Sequence, residues 1–205
     1  MKYIRTYHLP YSPSISNDDK VLDNIDCFNG KIVVYTEKLD GECTSMTNQG
    51  VHARSETSVA HLSQSWIRKL HGEIRWRIPK GIQIVGENLY AKHSIFYDKL
   101  STFFYVFAVI QNDETFLSYA DTIELCNTLS LTYVPVLYVG EFHTDFKLPT
   151  KSAYGDTIEG YVIKSIDSFK VKESSQNIAK WVRPNHVQTD KHWKEIWTPN
   201  KLLIQ

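Results

Sequence analysis

The chain has 205 residues, 42% of them hydrophobic and 13% aromatic, and its 23 basic residues balance its 23 acidic ones. This length suits one domain with a sizeable core, and the composition excludes a disordered chain. A formal net charge of zero excludes a general attraction for nucleic acid, so any basic surface must be local. No apolar run is long enough to cross a membrane, and the first residues do not begin a signal peptide. The cysteines at 27, 43 and 126 are widely spaced, which is typical of reduced thiols in a cytoplasmic protein.

The first half of the chain is predicted to form a loop, then strands, then a helix. Proline, serine and aspartate punctuate the first thirty residues, with a short helix expected over Asp18 to Asp26. The β-branched run 31–35 predicts a buried strand. A hairpin follows, formed by 43–47 and 51–54 around Asn48-Gln49-Gly50, with Gly50 expected in a left-handed conformation. The spacing of Leu62, Trp66, Leu70 and Ile74 predicts a helix over 60–74.

The second half is predicted to consist mainly of strands. Buried strands are expected over 82–85 and 103–110, and a helix over 119–129 whose start Ser118 or Asp121 can cap. Further strands are expected over 133–139, 157–163 and 178–182. Because the hairpin signals favour antiparallel neighbours, the sequence predicts an α+β fold with mainly antiparallel sheets and flanking helices.

The segment from Thr36 to Glu42 contains the clearest chemical signal. Lys38 is predicted to lie at a strand end, with Asp40 two residues later and Gly41 allowing a close backbone approach to a ligand. A lysine in this setting is a candidate covalent nucleophile. The four residues Lys-Leu-Asp-Gly, taken alone, fit a charged loop as well.

Further motifs occur downstream, in order and at regular separations. Together with Lys-Leu-Asp-Gly they resemble the motifs of the covalent nucleotidyltransferases, which include DNA ligases, RNA ligases and capping enzymes. The resemblance covers residues 32–183. It comprises the segments Val85-Gly86-Glu87-Asn88-Leu89, Phe104-Tyr105-Val106-Phe107-Ala108-Val109, Glu159-Gly160-Tyr161-Val162-Ile163-Lys164 and Ala179-Lys180-Trp181-Val182-Arg183.

The resemblance implies an adenylation domain of the ATP-grasp-like ligase type, in which a lysine attacks the α-phosphate of ATP. That lysine would be Lys38, and Lys164 and Lys180 would contact the α-phosphate and help to lower the pKa of Lys38. Glu159 would hold Mg²⁺ or Mn²⁺. Asp40 is assigned to later steps, near the RNA 3′-end and the metal. The remaining nucleotide contacts are expected from Glu37, Arg54, Glu87 and Phe107.

Two positions leave alternatives open. Many relatives carry a second lysine where this chain has Val182, and Arg183 could replace it only if the strand ends or bulges there. Tyr105 and Phe107 share one strand face by a period of two, so either ring could stack on adenine, with Phe107 preferred by its position in the motif.

After Arg183 about two dozen residues remain, too few for an OB-fold domain, so we expect one domain over 1–205 with a short tail at 185–205. This organisation resembles the small nick-sealing RNA ligases and implies an ATP-dependent RNA ligase acting on nicked duplexes or broken RNA ends. A local patch of Arg68, Lys69, Arg75 and Arg77 could contact the RNA backbone. A DNA ligase core completed by a partner, and a silent nucleotide- or RNA-binding module, stay open, as does any end-healing partner.

Overall fold

The computed structural model describes residues 2–54, 62–184 and 198–203. Across these ranges the chain forms two α-helices, α1 (Ser65–Ile74) and α2 (Tyr119–Leu129), with short 3-10 helices at Asp26–Phe28, Leu62–Gln64, Arg75–Arg77 and Val171–Gln176. The strands are β1 (Tyr7–His8), β2 (Ile32–Lys38), β3 (Glu42–Met46), β4 (Val51–Ala53), β5 (Ile82–Asn88), β6 (Phe104–Gln111), β7 (Thr115–Phe116), β8 (Thr132–Tyr133), β9 (Val136–Glu141), β10 (Gly160–Ser165), β11 (Phe169–Lys170) and β12 (Ile178–Val182).

The strands form two sheets. The smaller sheet has the order β1-β12-β10-β2-β9, and the larger has the order β11-β7-β6-β5-β3-β4, with β8 paired to β6. The pairs β1–β12 and β6–β8 are parallel, whereas the other named strand pairs are antiparallel. The predicted α+β class with mainly antiparallel sheets is therefore confirmed.

The small sheet has two different faces because successive side chains of a strand point to opposite sides. One face is apolar and packs under the N-terminal segment, with Val33, Tyr35, Tyr161, Ile163 and Ala179 in one buried cluster. The alternate positions of β2, β10 and β12 face the large sheet. The space between the two sheets is where polar side chains collect.

Both helices pack on the outer face of the large sheet. Ile67 and Ile74 of α1 join Met46, Ile84 and Val106 in one core cluster. Helix α2 has the predicted bounds, and the Ser118 hydroxyl accepts the Asp121 backbone N–H at 3.1 Å as its N-terminal cap.

The predicted start of α1 is wrong. The chain forms a 3-10 turn over Leu62–Gln64 before the helix begins at Ser65, so Leu62 leaves the apolar face and is 71% exposed. Residues 60 and 61 of the predicted helix lie outside the described ranges.

The predicted helix over Asp18 to Asp26 is also wrong. The segment lies alongside β1, where the His8 N–H donates to Lys20 O and the Leu22 N–H donates to His8 O. Val21 forms a parallel bridge with His8. These backbone groups are satisfied by β1 rather than by a helical turn, and the 3-10 helix begins only at Asp26.

Three predicted strand and turn features differ in detail. The strand expected over 133–139 is divided at Pro135, which lacks an N–H, so that β8 joins the large sheet and β9 the small one. The strand expected from 157 starts at Gly160. The β3–β4 hairpin is present, but the left-handed conformation predicted for Gly50 is wrong, since the described glycines with positive φ are Gly30 and Gly81. In the hairpin turn, the Thr47 hydroxyl accepts the Gly50 N–H.

The described part of the C-terminal tail packs on the domain. The Asn200 side chain is buried, donates to Leu89 O at 2.8 Å and accepts the Tyr97 N–H at 2.9 Å. Residues 185–197 and 204–205 of the predicted tail lie outside the described ranges. All three cysteines are free thiols. Among the described residues, no helix has the length and apolar character needed to cross a membrane.

Candidate active site

A cavity of about 410 Å³ lies between the two sheets and is lined by residues from both of them. This volume falls within the usual range of small-molecule sites. Its lining combines charged side chains with aromatic and aliphatic ones, so it offers both polar contacts and a flat apolar surface.

Three lysines reach this cavity from one face of the small sheet. Lys38 ends β2, Lys164 lies on β10 and Lys180 on β12, and the neighbours two residues away also line the cavity, namely Thr36, Val162 and Ile178. The strand register pairs Lys180 with Val162. Because β2, β10 and β12 are adjacent, the period of two places all three amines on one floor.

Lys38 forms the closest ion pair of this floor. Its Nζ lies 2.5 Å from Glu159 Oε1, and the Glu159 side chain is 4% exposed. Burial alone would lower the pKa of Lys38, but the carboxylates of Glu159 and Glu87 outweigh it and raise that pKa above its ordinary value. The lowering of this pKa that is expected from a bound divalent cation and the neighbouring lysines stays a prediction, and among the protein's own groups the carboxylates dominate.

The pKa values of two nearby glutamates, the buried Glu159 and the half-buried Glu87, are also raised. Burial raises the pKa of Glu87 to about 8, with repulsion from Glu159 and Asp40 adding to the effect and Lys38 opposing it. Burial likewise raises the pKa of Glu159 to about 7, against the attraction of Lys38. An additional positive charge in the cavity would stabilise the ionised form of both carboxylates.

The other two lysines are held differently. Lys164 is buried and donates to Phe107 O at 2.8 Å, and burial lowers its pKa to about 8. Lys180 lies 3.4 Å from Asp19 Oδ1, and burial together with the charge of Lys38 lowers its pKa. The floor therefore contains cations that are poorly solvated, which strengthens their interaction with an anionic ligand.

Gly41 is needed for the packing of the loop after Lys38. A Cβ at this position would lie 2.6 Å from Asn88 O and 2.7 Å from a methyl group of Leu89. The Gly41 N–H donates to Glu87 Oε1 at 3.0 Å. Glycine therefore allows the backbone at position 41 to approach β5 closely, where a close approach to a ligand was predicted. This contact aligns the motif with Glu87.

Asp40 faces the neighbouring loop. Its Oδ2 accepts the backbone N–H groups of Ser94 and Ile95 at 2.7 and 2.8 Å, and its own N–H donates to the Tyr97 hydroxyl. Among the described residues that line the cavity, His93 of this loop is present and Asp40 is not. Asp40 therefore connects the motif to the loop that contributes His93.

The structure separates the two candidate rings of β6. Phe107 lines the cavity and contacts Tyr3 edge-on at 5.2 Å between ring centroids, whereas Tyr105 is fully buried and its hydroxyl accepts the Ser101 N–H. The register of β5 with β6 shifts between Val85 and Gly86, which leaves Phe107 as an extra residue in β6. Tyr105 pairs with Glu87, so both rings lie on the cavity side of the sheet, as the period of two predicts, and the bulge places Ala108 on that side as well. The burial of Tyr105 therefore distinguishes the two rings and leaves Phe107 as the one that lines the cavity.

The remaining predicted residues divide between the cavity and its surroundings. Arg54 and Glu37 line the cavity, and buried Glu37 accepts the Ala153 N–H at 3.1 Å. Strand β12 ends at Val182, as the replacement by Arg183 would require. The Arg183 guanidinium nevertheless donates to Pro184 O, and Arg183 is absent from the described cavity lining.

Sequence reasoning missed several lining residues. Tyr3 and Thr6 belong to the N-terminal segment, which was predicted as a loop without a role, and Tyr133 and Val134 precede the break at Pro135. The sequence contains no local signal for these contacts. Thr36 and Ile178 could have been found, since each lies two residues before a predicted site lysine on the same strand.

The donor set fits a Mg²⁺ or Mn²⁺ ion held mainly by a substrate. Within the described ranges, no group of three or more histidine, cysteine, aspartate or glutamate side chains is arranged to hold a metal. Mg²⁺ commonly takes one or two carboxylates from the protein and the rest of its ligands from phosphates and water. Glu159, a buried carboxylate beside the lysine floor, satisfies this requirement.

Comparison with solved structures shows a shared fold. A Naegleria gruberi RNA ligase mutant with ATP and Mn matches at a TM-score of 0.56 and 20% identity, over 78% of this chain and 52% of that chain. The Naegleria gruberi RNA ligase with PPi also matches at a TM-score of 0.56 and 20% identity, over 87% of this chain and 59% of that chain. A further mutant of the Naegleria gruberi RNA ligase, with AMP and Mn, matches at a TM-score of 0.55 and 19% identity, over 78% of this chain and 52% of that chain. The chain spans between half and three-fifths of the length of these proteins.

Sequence comparison covers most of the chain. No curated protein sequence matches it. The model of the RNA ligase family matches residues 31–182, which are 152 of the 205 residues and include every strand from β2 to β12. The chain therefore belongs to the RNA ligase family.

Proposed function

We propose that this chain is an adenylyltransferase domain of an ATP-dependent RNA ligase, with its motif residues between positions 32 and 183. The observation that carries the proposal is the arrangement of Lys38, paired with the buried Glu159, on one cavity floor with buried Lys164 and half-buried Lys180. A cavity of about 410 Å³ with one aromatic wall and a cationic floor suits a nucleotide.

The first step is self-adenylylation of Lys38. The Lys38 amine loses a proton to solvent and attacks the α-phosphorus of ATP, an N–P bond forms, the bond to the β-phosphate breaks and pyrophosphate leaves. Lys164 and Lys180 lie on the same floor and stabilise the negative charge that develops at the α-phosphate. A divalent cation held at Glu159 would supply positive charge beside the phosphates and counteract the carboxylates that raise the pKa of Lys38.

The nucleotide contacts follow from the cavity walls. Phe107 offers its ring for stacking on adenine, and Glu87 and Glu37 offer carboxylates at the ends of their strands for the ribose side. Arg54, just after β4, provides a cation for phosphate or ribose. Asp40 acts in the later steps through the loop that it holds, which brings His93 to the cavity.

The later steps join the RNA ends. The AMP group is transferred from Lys38 to an RNA 5′-phosphate, and a 3′-hydroxyl then attacks that phosphate and releases AMP. The basic patch of Arg68, Lys69, Arg75 and Arg77 is exposed along α1 and the turn after it. Trp76 within this patch is 79% exposed, and its ring lies 6.0 Å from the Arg77 guanidinium. Cations beside an exposed ring suit a single-stranded or nicked RNA.

Self-adenylylation is tested with ATP labelled at the α-phosphate. We expect one acid-labile AMP per chain, and no label in Lys38→Ala. Lys172→Ala removes an exposed lysine and serves as the matched control. Label retained in Lys38→Ala would place the nucleophile elsewhere, and an unlabelled wild-type chain would identify a silent binding module.

The polynucleotide preference is tested with nicked duplexes. Neutralising the basic patch should slow the sealing of an RNA nick and leave self-adenylylation nearly unchanged, because these side chains would position phosphates of the RNA. A 2′-hydroxyl at the 3′-end of the nick should accelerate sealing. If all-DNA nicks close as fast as nicks with ribose ends, the chain is a DNA ligase core instead.

A further inference from the structure

The Asp19 carboxylate is oriented by contacts on both of its oxygens. Oδ2 accepts the Ser16 backbone N–H at 3.1 Å and the Ser16 hydroxyl at 2.7 Å. Oδ1 faces inward, 3.4 Å from Lys180 Nζ and 3.3 Å from His8 Nε2. One oxygen therefore fixes the carboxylate to its own turn, and the other is presented to a lysine of the cavity floor.

The segment that carries Asp19 is attached to the strand that carries Lys180. Strand β1 pairs in parallel with β12 and places His8 opposite Lys180, and the Leu9 N–H donates to Lys180 O at 2.8 Å. The Ser12 hydroxyl accepts the Val182 N–H at 3.0 Å and lies 3.1 Å from His8 Nδ1. These bonds bracket Lys180 along β12, so the N-terminal segment and the lysine form one local unit.

Lys180 needs such a partner for a physical reason. A lysine side chain has four rotatable bonds, and fixing it costs conformational entropy. Lys180 is also close enough to Lys38 for that charge to lower its pKa, so repulsion acts on the pair. The hydrogen bonds from Ser16 and the charge of Lys180 overcome the effect of burial and hold the pKa of Asp19 well below its ordinary value, which keeps the carboxylate ionised. An ionised carboxylate offsets the repulsion and selects one rotamer of Lys180.

We infer that Asp19 is a positioning residue, which holds Lys180 in the orientation that self-adenylylation requires, and that the N-terminal segment outside the family match is part of the working site. The match begins at residue 31, so nothing in it assigns a role to Asp19, His8 or Ser12. The inference rests on the proposed function of Lys180, since Asp19 contributes only through that lysine.

Asp19→Asn tests the inference, because it removes the charge and keeps the shape and an oxygen for Ser16. We expect the rate of Lys38 labelling at saturating ATP to fall about 10-fold, with KM for ATP changed little, since hydrogen bonds to charged groups have energies of this order. Asp23→Asn is the matched control, because it removes an exposed carboxylate of the same N-terminal segment. It should leave the rate unchanged.

The double variant separates positioning from a general loss of structure. In a Lys180→Ala background, Asp19→Asn should cause no further loss of rate, because the group through which it acts is already gone. The inference would be overturned if Asp19→Asn lowered the rate in the Lys180→Ala background by the same factor as in the wild type. A wild-type rate in Asp19→Asn alone would also overturn it.

A second measurement does not depend on adenylylation. Acetylation of Lys180 by acetic anhydride, followed by mass spectrometry, should be several-fold faster in Asp19→Asn than in the wild type, because the amine loses its anionic partner. An unchanged acetylation rate would overturn the inference. If the wild-type chain is not labelled by ATP, yet Lys180 is acetylated faster in Asp19→Asn than in the wild type, the proposed function alone is contradicted.

Discussion

Lys164→Met should change the pH dependence of stability in a way that the structure specifies. Lys164 is buried, and burial lowers its pKa from the ordinary 10.5 to about 8. Between these two values the unfolded chain binds more protons than the folded one, so the stability of the wild type rises with pH in this window. At ~1.4 kcal/mol per pKa unit, keeping this amine protonated in the fold costs ~3 kcal/mol at pH 7.

Methionine has a similar length and removes that cost, but it leaves Phe107 O without the hydrogen bond from Lys164, a loss of about 1–3 kcal/mol. We therefore expect Lys164→Met to be as stable as the wild type or slightly more stable at pH 7. The wild type should gain ~3 kcal/mol relative to the variant by pH 10.5.

Urea unfolding at several pH values between 7 and 10.5 measures this difference, and Lys172→Met controls for the removal of an exposed lysine. Labelling by ATP should fall by a factor of about 10²–10³ in Lys164→Met at every pH. A stability difference that stays constant from pH 7 to 10.5 would show that the burial of a charged Lys164 has been misjudged.

Three further predictions concern the cavity. Phe107→Ala should raise KM for ATP about tenfold through the loss of stacking, measured by labelling against ATP concentration, whereas Tyr105→Phe should lower thermal stability and leave KM unchanged. Gly41→Ala should abolish labelling and lower the melting temperature, because its Cβ would collide with Asn88 O; normal labelling would show that the loop can shift. Lys180→Ala should reduce the labelling rate by about 10²–10³, and Arg183→Ala only slightly, since the Arg183 guanidinium donates to Pro184 O outside the cavity. Equal losses in these two variants would show that Arg183 reaches the nucleotide.

The local sequence pattern was sufficient to predict the helix and the strands whose apolar residues recur with a clear helical or strand period. Helix α2 has its predicted bounds and cap, and the runs around Val33 and Val106 form buried strands. Prediction failed where a local preference competed with partners distant in sequence. The stretch around Val21 pairs with β1, and the strand predicted through Pro135 is shared between the two sheets.

The sequence by itself determined the RNA ligase family and the chemical types in the site. Lys38, Glu87, Glu159 and Lys164 lie in motifs that resemble those of the covalent nucleotidyltransferases, a resemblance that needs no coordinates. The alternation of side chains along a strand explains why the floor lysines share a face.

Only the tertiary structure decided how these groups affect one another. The ion pair of Lys38 with Glu159 and the contact of Asp19 with Lys180 join residues far apart in the chain. The packing that buries Tyr105 leaves Phe107 as the ring that lines the cavity. Burial and electrostatic interaction depend on distance in space, and sequence separation does not give that distance.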